Sequence, residues 1–302
     1  MKYGIVLDAI FTRHNTPEGH PERPQRIEAI LQAVKGWNPS GQLVRVAPLP
    51  AEEEWILAVH TQEHWQKIQG TSGQAVSQLD PDTYTSPDSF ETATLAAGSA
   101  VALTDELLQG KIDSGFALIR PPGHHAESNR VMGFCLFNNV AVGAFHARAA
   151  HGAERIAVVD FDVHHGNGTA SIFANEARVF TFSMHHQWNY PAVKPPGDLD
   201  VGLDDGVGDE EYMQLLREHL LRVLEEHEPQ LILYLAGADP YEGDQLGGLG
   251  LSIDGLRERD EFVLNTAAEA KAAVAVTLAG GYAIRPSDTV AIHCGTVEAA
   301  LA

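Results

Sequence analysis

The chain has 302 residues, 44% of them hydrophobic, with 41 acidic against 20 basic side chains and a formal charge of -21. That balance excludes a nucleic-acid binder, which needs a basic footprint, and favours cationic partners such as lysine-rich peptides or polyamines through long-range attraction. The two cysteines, Cys135 and Cys294, imply no disulfide framework, and no stretch approaches the eighteen or so uninterrupted apolar residues of a membrane span.

The opening "MKYGIVLDAIF" carries one basic residue and an apolar run that Asp8 interrupts. It reads as a first strand over 3–7 rather than a signal peptide, so a cytoplasmic enzyme is expected. Helical periodicity follows at 22–35 and 90–109, and a strand at 116–119 runs into "RPPGHHAE". "GFCLFNN" leads into a helix over 137–151. Strand 156–162 is followed by "VHHGNGT" and strand 179–183 by "MHHQWNYP". Helix 209–227 opens on acidic residues and repeats apolar ones at three and four, with His227 near its end. Strand 231–236 precedes "GADPYEGDQLGGLG", helix 254–271 follows, and strand 273–279 leads through "GGYAIRP" to helix 286–301. Alternating helices and fully apolar strands predict an α/β domain built on a buried, mainly parallel sheet. No Pro-, Gly- or Ser-rich linker divides the chain, so one domain is expected over 1–302. Polar, glycine-rich segments follow most strands, and in open α/β sheets the ligand crevice lies at those carboxyl ends. The chemically distinctive residues therefore converge on one rim.

"VVDFDVHHGNGT" (158–169) raises the sharpest question, because burying an unpaired carboxylate costs more than neighbouring valines return. Read as continued strand, it points Asp160, Asp162 and His164 to one face and Phe161 and Val163 to the other. A divalent cation would neutralise such a cluster, and zinc accepts imidazole nitrogen and carboxylate oxygen from three protein ligands in catalytic sites. The best third ligand is Asp239, which follows an apolar strand and precedes Pro240.

On the same rim stand His124 and His125, a tandem pair suited to proton transfer near neutral pH. Asp160 can accept a hydrogen bond from His124 and favour its cationic form, whereas Asn167 can hold His125 without adding charge, leaving it neutral as a base. Tyr282, after paired glycines, can donate to the oxyanion of a tetrahedral intermediate. Gly133 and Phe134 suggest one wall of a narrow apolar slot, with Tyr190 or Trp188 opposite, fitting the methylene stem of a lysine or polyamine. Cys135, with no base evident beside it, reads as a small buried hydrophobe.

Six motifs in order, "HPERPQRIEAI" (20–30), "RPPGHHAE", "GFCLFNN", "VVDFDVHHGNGT", "GADPYEGDQLGG" and "GGY", make the chain similar to the zinc-dependent histone deacetylase superfamily in its short bacterial form. The resemblance implies an arginase/deacetylase fold, a three-layer αβα arrangement around a mainly parallel eight-stranded sheet. It implies catalytic zinc on Asp162, His164 and Asp239, the catalytic pair His124 and His125, and Tyr282 as transition-state donor. It further implies a structural monovalent cation, typically potassium, near Asp160 and Asp162, with the carbonyls of Asp162, His164 and Met184 and the Ser183 hydroxyl. Arg26 resembles the family's arginine beneath the active-site floor. Asn167 stands where class I enzymes carry aspartate, and it and Leu246 look more like the class II and IV branches. Leu246 also stands where polyamine-preferring relatives can carry a glutamate. The expected substrate is an acylated lysine in a peptide or protein, with an acetylated polyamine or other small amide as the alternative. A two-metal arginase-like hydrolase is disfavoured by Gly166 two residues after His164, and a non-catalytic binding module by the competence of every candidate position. Zinc against ferrous iron, acyl length and oligomeric state stay open at this point.

Overall fold

The computed structural model describes residues 2–35 and 43–301. Its frame is a parallel sheet of eight strands, of which the four central ones are mainly apolar and almost entirely buried. These are β1 (Tyr3–Leu7), β2 (Leu43–Arg45), β5 (Ser114–Leu118), β6 (Ile156–Asp160), β7 (Val179–His186), β8 (Leu199–Leu203), β9 (Leu231–Ala236) and β10 (Ala273–Leu278), in the order β2-β1-β5-β10-β9-β6-β7-β8. Every pairing in this sheet is parallel. Two further short strands, β3 (Ser77–Gln78) and β4 (Tyr84–Thr85), pair antiparallel outside it.

Helices flank the sheet. α4 (Ser89–Leu108) and α5 (Asn139–His151) pack on each other, and α4 also lies on β1, β5 and β10. A second group joins α1 (Gln25–Ala33), α7 (Asp209–His227), α8 (Ile253–Glu269) and α9 (Pro286–Leu301). Among the described residues, shorter helices α2 (Glu53–Leu57), α3 (Gln62–Gln69) and α6 (Asn167–Phe173) and a 3-10 helix over Ala9–Arg13 complete the set. α4 buries nearly all of its turns, which suits its run of alanines and small polar residues, whereas α7 buries one stripe, Tyr212, Met213, Leu216, Leu220, Val223 and Leu224. Among the described residues, no helix is long and apolar enough to cross a membrane.

The sheet order places the carboxyl ends of β5, β10, β9 and β6 side by side. The segments that follow them carry "RPPGHHAE", "GGY", "GADP" and "DVHHGNGT". Ligand crevices of open α/β sheets form at such a row of strand ends, and this adjacency is what brings together residues more than a hundred positions apart.

Several boundaries differ from the periodicity reading. β6 stops at Asp160, two residues short of the expected 162, and β7 continues to His186 rather than ending at 183. The helix expected over 22–35 begins at Gln25, because Pro24 and its neighbours form the turn that starts it. β2 and β8, both edge strands, interrupt stretches that carry no apolar run.

Candidate active site

After Asp160 the chain leaves the strand and bends around its own carboxylates. The N–H of Asp162 donates to Asp160 Oδ1 (3.1 Å) and that of His164 to Asp162 Oδ1 (2.9 Å). Asp162 and His164 therefore meet through a loop stitched by aspartate side chains, not through the alternation of an extended strand, which corrects that expectation. From the end of β9, Asp239 reaches across and accepts from the N–H of Val163 (2.9 Å); from the end of β10, Gly280 donates to Asp162 Oδ2 (2.6 Å). His164 Nδ1 stands 2.9 Å from Asp162 Oδ1 and 3.4 Å from Asp239 Oδ2.

Asp162, His164 and Asp239 thus offer two oxygens and one nitrogen within 4.8 Å of one another, all buried. Burial would lower the His164 imidazole, but the hydrogen bond to Asp162 and the charges of Asp162 and Asp239 push it up to about 10. Burial and the Asp162 charge raise Asp239 to about 7, while Asp162, despite burial, is held well below the carboxylate range by His124 and His164. Two buried carboxylates here attract positive charge, and Asp239 Oδ2 has no hydrogen-bond partner. A buried, unpartnered carboxylate oxygen beside a nitrogen donor is what a divalent cation of the zinc type would satisfy.

The histidine pair lies on the loop after β5, its rings 3.9 Å apart. His124 Nδ1 lies 2.8 Å from Asp160 Oδ2, and His125 Nδ1 lies 2.7 Å from Asn167 Oδ1 on the first turn of α6. The two partners differ by a charge. Burial works against a charged His124, yet Asp160 and Asp162 push it up to about 9. Burial and the neighbouring charges of His124 and His164 hold His125 well below the usual histidine range. Tyr282 follows β10, and its ring sits under the Arg26 guanidinium, 4.7 Å from the guanidinium carbon to the ring centroid. Arg26 also donates to the carbonyl of Ala279 (2.8 Å). Burial pushes the Tyr282 hydroxyl well above its ordinary value, so it stays a neutral donor.

Of these groups, His124, His125, Asp162, His164, Gly280 and Tyr282 line a pocket of about 410 Å3. Phe134 meets Tyr282 edge-on at 5.7 Å, and Tyr190 meets His125 edge-on at 4.9 Å, giving the pocket aromatic walls to which Leu246 adds an aliphatic side. Trp188, the alternative wall, is 72% exposed with its indole N–H near Asp204, outside the pocket lining. Gly133 has φ +56°, and a Cβ there would stand 2.2 Å from His125 Cδ2, so only glycine lets this loop close on the ring. Of the residues expected around a monovalent cation, Asp160 and Ser183 are cross-strand partners, and the Ser183 hydroxyl lies 2.9 Å from His185 Nδ1. Cys135 is buried, and burial pushes its thiol well up, leaving no nucleophile there.

Sequence reasoning missed His20, Asp82 and Asn189 in the pocket lining. Asn189 ties the loop after β7 to the loop after β9 by donating to the carbonyls of Leu246 (2.7 Å) and Gly247. The one available signal was "LDPDTY" (79–84), an acidic pair in a proline-containing turn. Glu127 was also missed; it accepts from Asn167 Nδ2 at 2.9 Å.

Fold and site together define an α/β protein of the arginase/deacetylase type, with a buried carboxylate–imidazole cluster at the carboxyl edge of its sheet. The model of the histone deacetylase domain matches residues 20–296, and the chain belongs to that family. It is 36% identical to "Histone deacetylase 5" of Arabidopsis thaliana over 93% of this chain and 46% of that protein. It is 36% identical to the "Histone deacetylase-like amidohydrolase" of Pseudomonas aeruginosa over 92% and 75%, and 33% identical to a "Probable deacetylase" of Archaeoglobus fulgidus over 94% and 82%. The chain spans about half the length of the first plant relatives it matches. The crystal structure of the HDA15 HD domain is similar with a TM-score of 0.90 at 32% identity, covering 100% of this chain and 89% of that one.

Proposed function

We propose that the chain hydrolyses the amide of an acylated lysine in a peptide or protein, removing an acetyl or longer acyl group, with one zinc ion held by Asp162, His164 and Asp239. One observation carries this reading: an unpartnered Asp239 oxygen beside Asp162 and His164, the latter two lining a pocket together with a histidine pair and a neutral tyrosine. The aromatic walls accept the methylene stem of the lysine and leave its acyl carbonyl at the floor. When bound, zinc supplies a Lewis acid to that carbonyl and lowers the pKa of the attacking water towards about 7. Tyr282 donates its hydroxyl hydrogen to the acyl oxygen as negative charge gathers there. His125, neutral and with Nδ1 engaged by Asn167, accepts the proton of the attacking water on Nε2. The C–N bond then breaks, and the departing amine takes the proton that His125 gained, leaving a carboxylate and a free lysine. His124, cationic beside Asp160 and Asp162, offsets the negative charge developing at the floor.

Tyr282→Phe is expected to keep its zinc content and lose turnover by about 10² to 10³, as for removal of an oxyanion donor. Turnover near that of the native protein would remove Tyr282 from the mechanism. Leu246 presents no acidic group to a polyamine ammonium, so acyl-lysine peptides are expected to outperform acetylpolyamines in kcat/KM; the reverse order would overturn the substrate class.

A further inference from the structure

The base assigned above is oriented by an amide, and an amide has two faces. Asn167 can turn either its oxygen or its nitrogen toward His125 Nδ1, and the choice decides what His125 can do. With the oxygen facing the ring, Nδ1 carries the hydrogen and Nε2 is the free acceptor. With the nitrogen facing the ring, Nδ1 becomes the acceptor, the hydrogen moves to Nε2, and no lone pair is left for the water.

We propose that Glu127 is the positioning residue that sets this choice, a proposal that rests on the reading of His125 as base. Its Oε1 lies 2.9 Å from Asn167 Nδ2. A carboxylate accepts hydrogen bonds and donates none, so the amide nitrogen must face Glu127 and the oxygen must face His125, 2.7 Å away. Two other acceptors lie on the nitrogen's side, the Met132 sulfur at 3.1 Å and the His125 carbonyl at 3.5 Å. Thioether sulfur is a weak acceptor and 3.5 Å is at the limit of a hydrogen bond, so neither matches a charged oxygen at 2.9 Å.

Glu127 is itself held from several sides. Arg130 donates from Nε and Nη2 to its two oxygens at 3.0 and 2.6 Å. The Glu127 N–H donates to the Arg130 carbonyl (3.1 Å), and the Glu127 carbonyl lies 3.0 Å from His60 Nδ1. Arg130 faces solvent while Glu127 is mostly buried, so the arginine compensates the charge from outside, and Oε1 accepts from both Arg130 Nη2 and the Asn167 amide. His124 meets a carboxylate directly; His125 meets one through an amide, with the charge displaced by the length of an asparagine side chain.

A double-mutant cycle on the zinc-loaded chain tests this. Glu127→Met is expected to lower kcat by about tenfold, with KM and zinc content unchanged, the usual scale for loss of an outer hydrogen-bond partner. Glu127→Gln keeps an acceptor oxygen and is expected to restore most of the loss. In an Asn167→Asp background both side-chain oxygens accept and there is no face to choose, so adding Glu127→Met is expected to cost nothing further. Glu127→Lys, which puts a donor there, is expected to lower kcat more than Glu127→Met in the native background and to cost nothing beside Asp at 167. An equal loss in both backgrounds would reduce Glu127 to a structural role and overturn the proposal, as would full activity in Glu127→Met and Glu127→Lys. Full activity in His125→Ala is a different result: it would overturn the base assignment itself.

Discussion

At Gly280 an added Cβ would stand 1.9 Å from Asp239 Oδ2 and 2.6 Å from Asp162 Oδ2, and the same residue's N–H donates to Asp162 at 2.6 Å. The carboxylates cannot retreat, because Asp239 is tied to the Val163 amide and Asp162 to the amides of His164 and Gly280. Gly280→Ala is therefore expected to weaken zinc binding by tenfold or more, read as the Kd from competition with a chelator, while circular dichroism keeps the native helix content; an unchanged Kd would contradict the geometry. The donors themselves were legible in the sequence, since carboxylates at the end of an apolar strand need a counter-charge. The hydrogen bonds of His124 to Asp160 and of His125 to Asn167 were legible too, as pairings between named motifs. Glu127 was not. It lies two residues past the histidine pair but acts on a side chain 40 positions further on, and nothing in the composition of either loop announces that crossing.

Among the elements, those fully buried were readable and those at the margin were not. β9 spells "LILYLA" and is buried along its whole length, so its bounds follow from the apolar run alone. β2 is three residues and partly exposed, and β8 spells "LDVGL" with alternating exposure; both are held by a single neighbour, and edge strands need no continuous apolar run. The start of α5 moves from the expected 137 to Asn139 because Asn138 caps it. Asn138 Oδ1 accepts from the Ala141 N–H (3.1 Å), and its Nδ2 donates to the Ala126 carbonyl (3.3 Å) and Thr169 Oγ1 (3.2 Å). One side chain thus joins the helix start to the loop bearing the histidine pair and to α6. Asn138→Ala is expected to cost about 2 kcal/mol, the sum of a lost cap and a buried carbonyl left with a poorer partner. Urea unfolding checks it, and a loss under about 0.5 kcal/mol, the scale of an ordinary surface change, would mean that the cap carries little of the helix's stability.

The whole molecule sets a strongly acidic surface, 41 acidic side chains against 20 basic, over an interior holding uncharged histidines. Burial, as the largest cause, pushes His14 down to about 4 and His60 and His185 each to about 3. Unfolded, these imidazoles take up protons near 6.5; folded, they do so only near 4 or 3. The unfolded chain therefore binds more protons in that window, and stability present above about pH 6.5 is lost as the pH falls, by up to about 1.4 kcal/mol per pH unit for each group. His124, pushed up to about 9, acts with the opposite sign, but it differs from the unfolded chain mainly above about pH 6.5 and changes little between pH 7 and pH 5, whereas burial lowers His64 and His293 as well. Acid also competes with a cation for the His164 nitrogen, which adds to the loss. Relief of surface repulsion as carboxylates protonate favours the folded state, but at about 0.15 M salt it is screened beyond about 8 Å, whereas the buried groups are not. The urea midpoint of the zinc-loaded protein is therefore expected to fall steadily from pH 7 to pH 5 at that salt concentration, and less steeply at about 0.01 M, where screening extends to about 30 Å. A midpoint that holds level or rises toward pH 5 at the higher salt would mean that surface charge, rather than the buried imidazoles, governs the acid limb of stability.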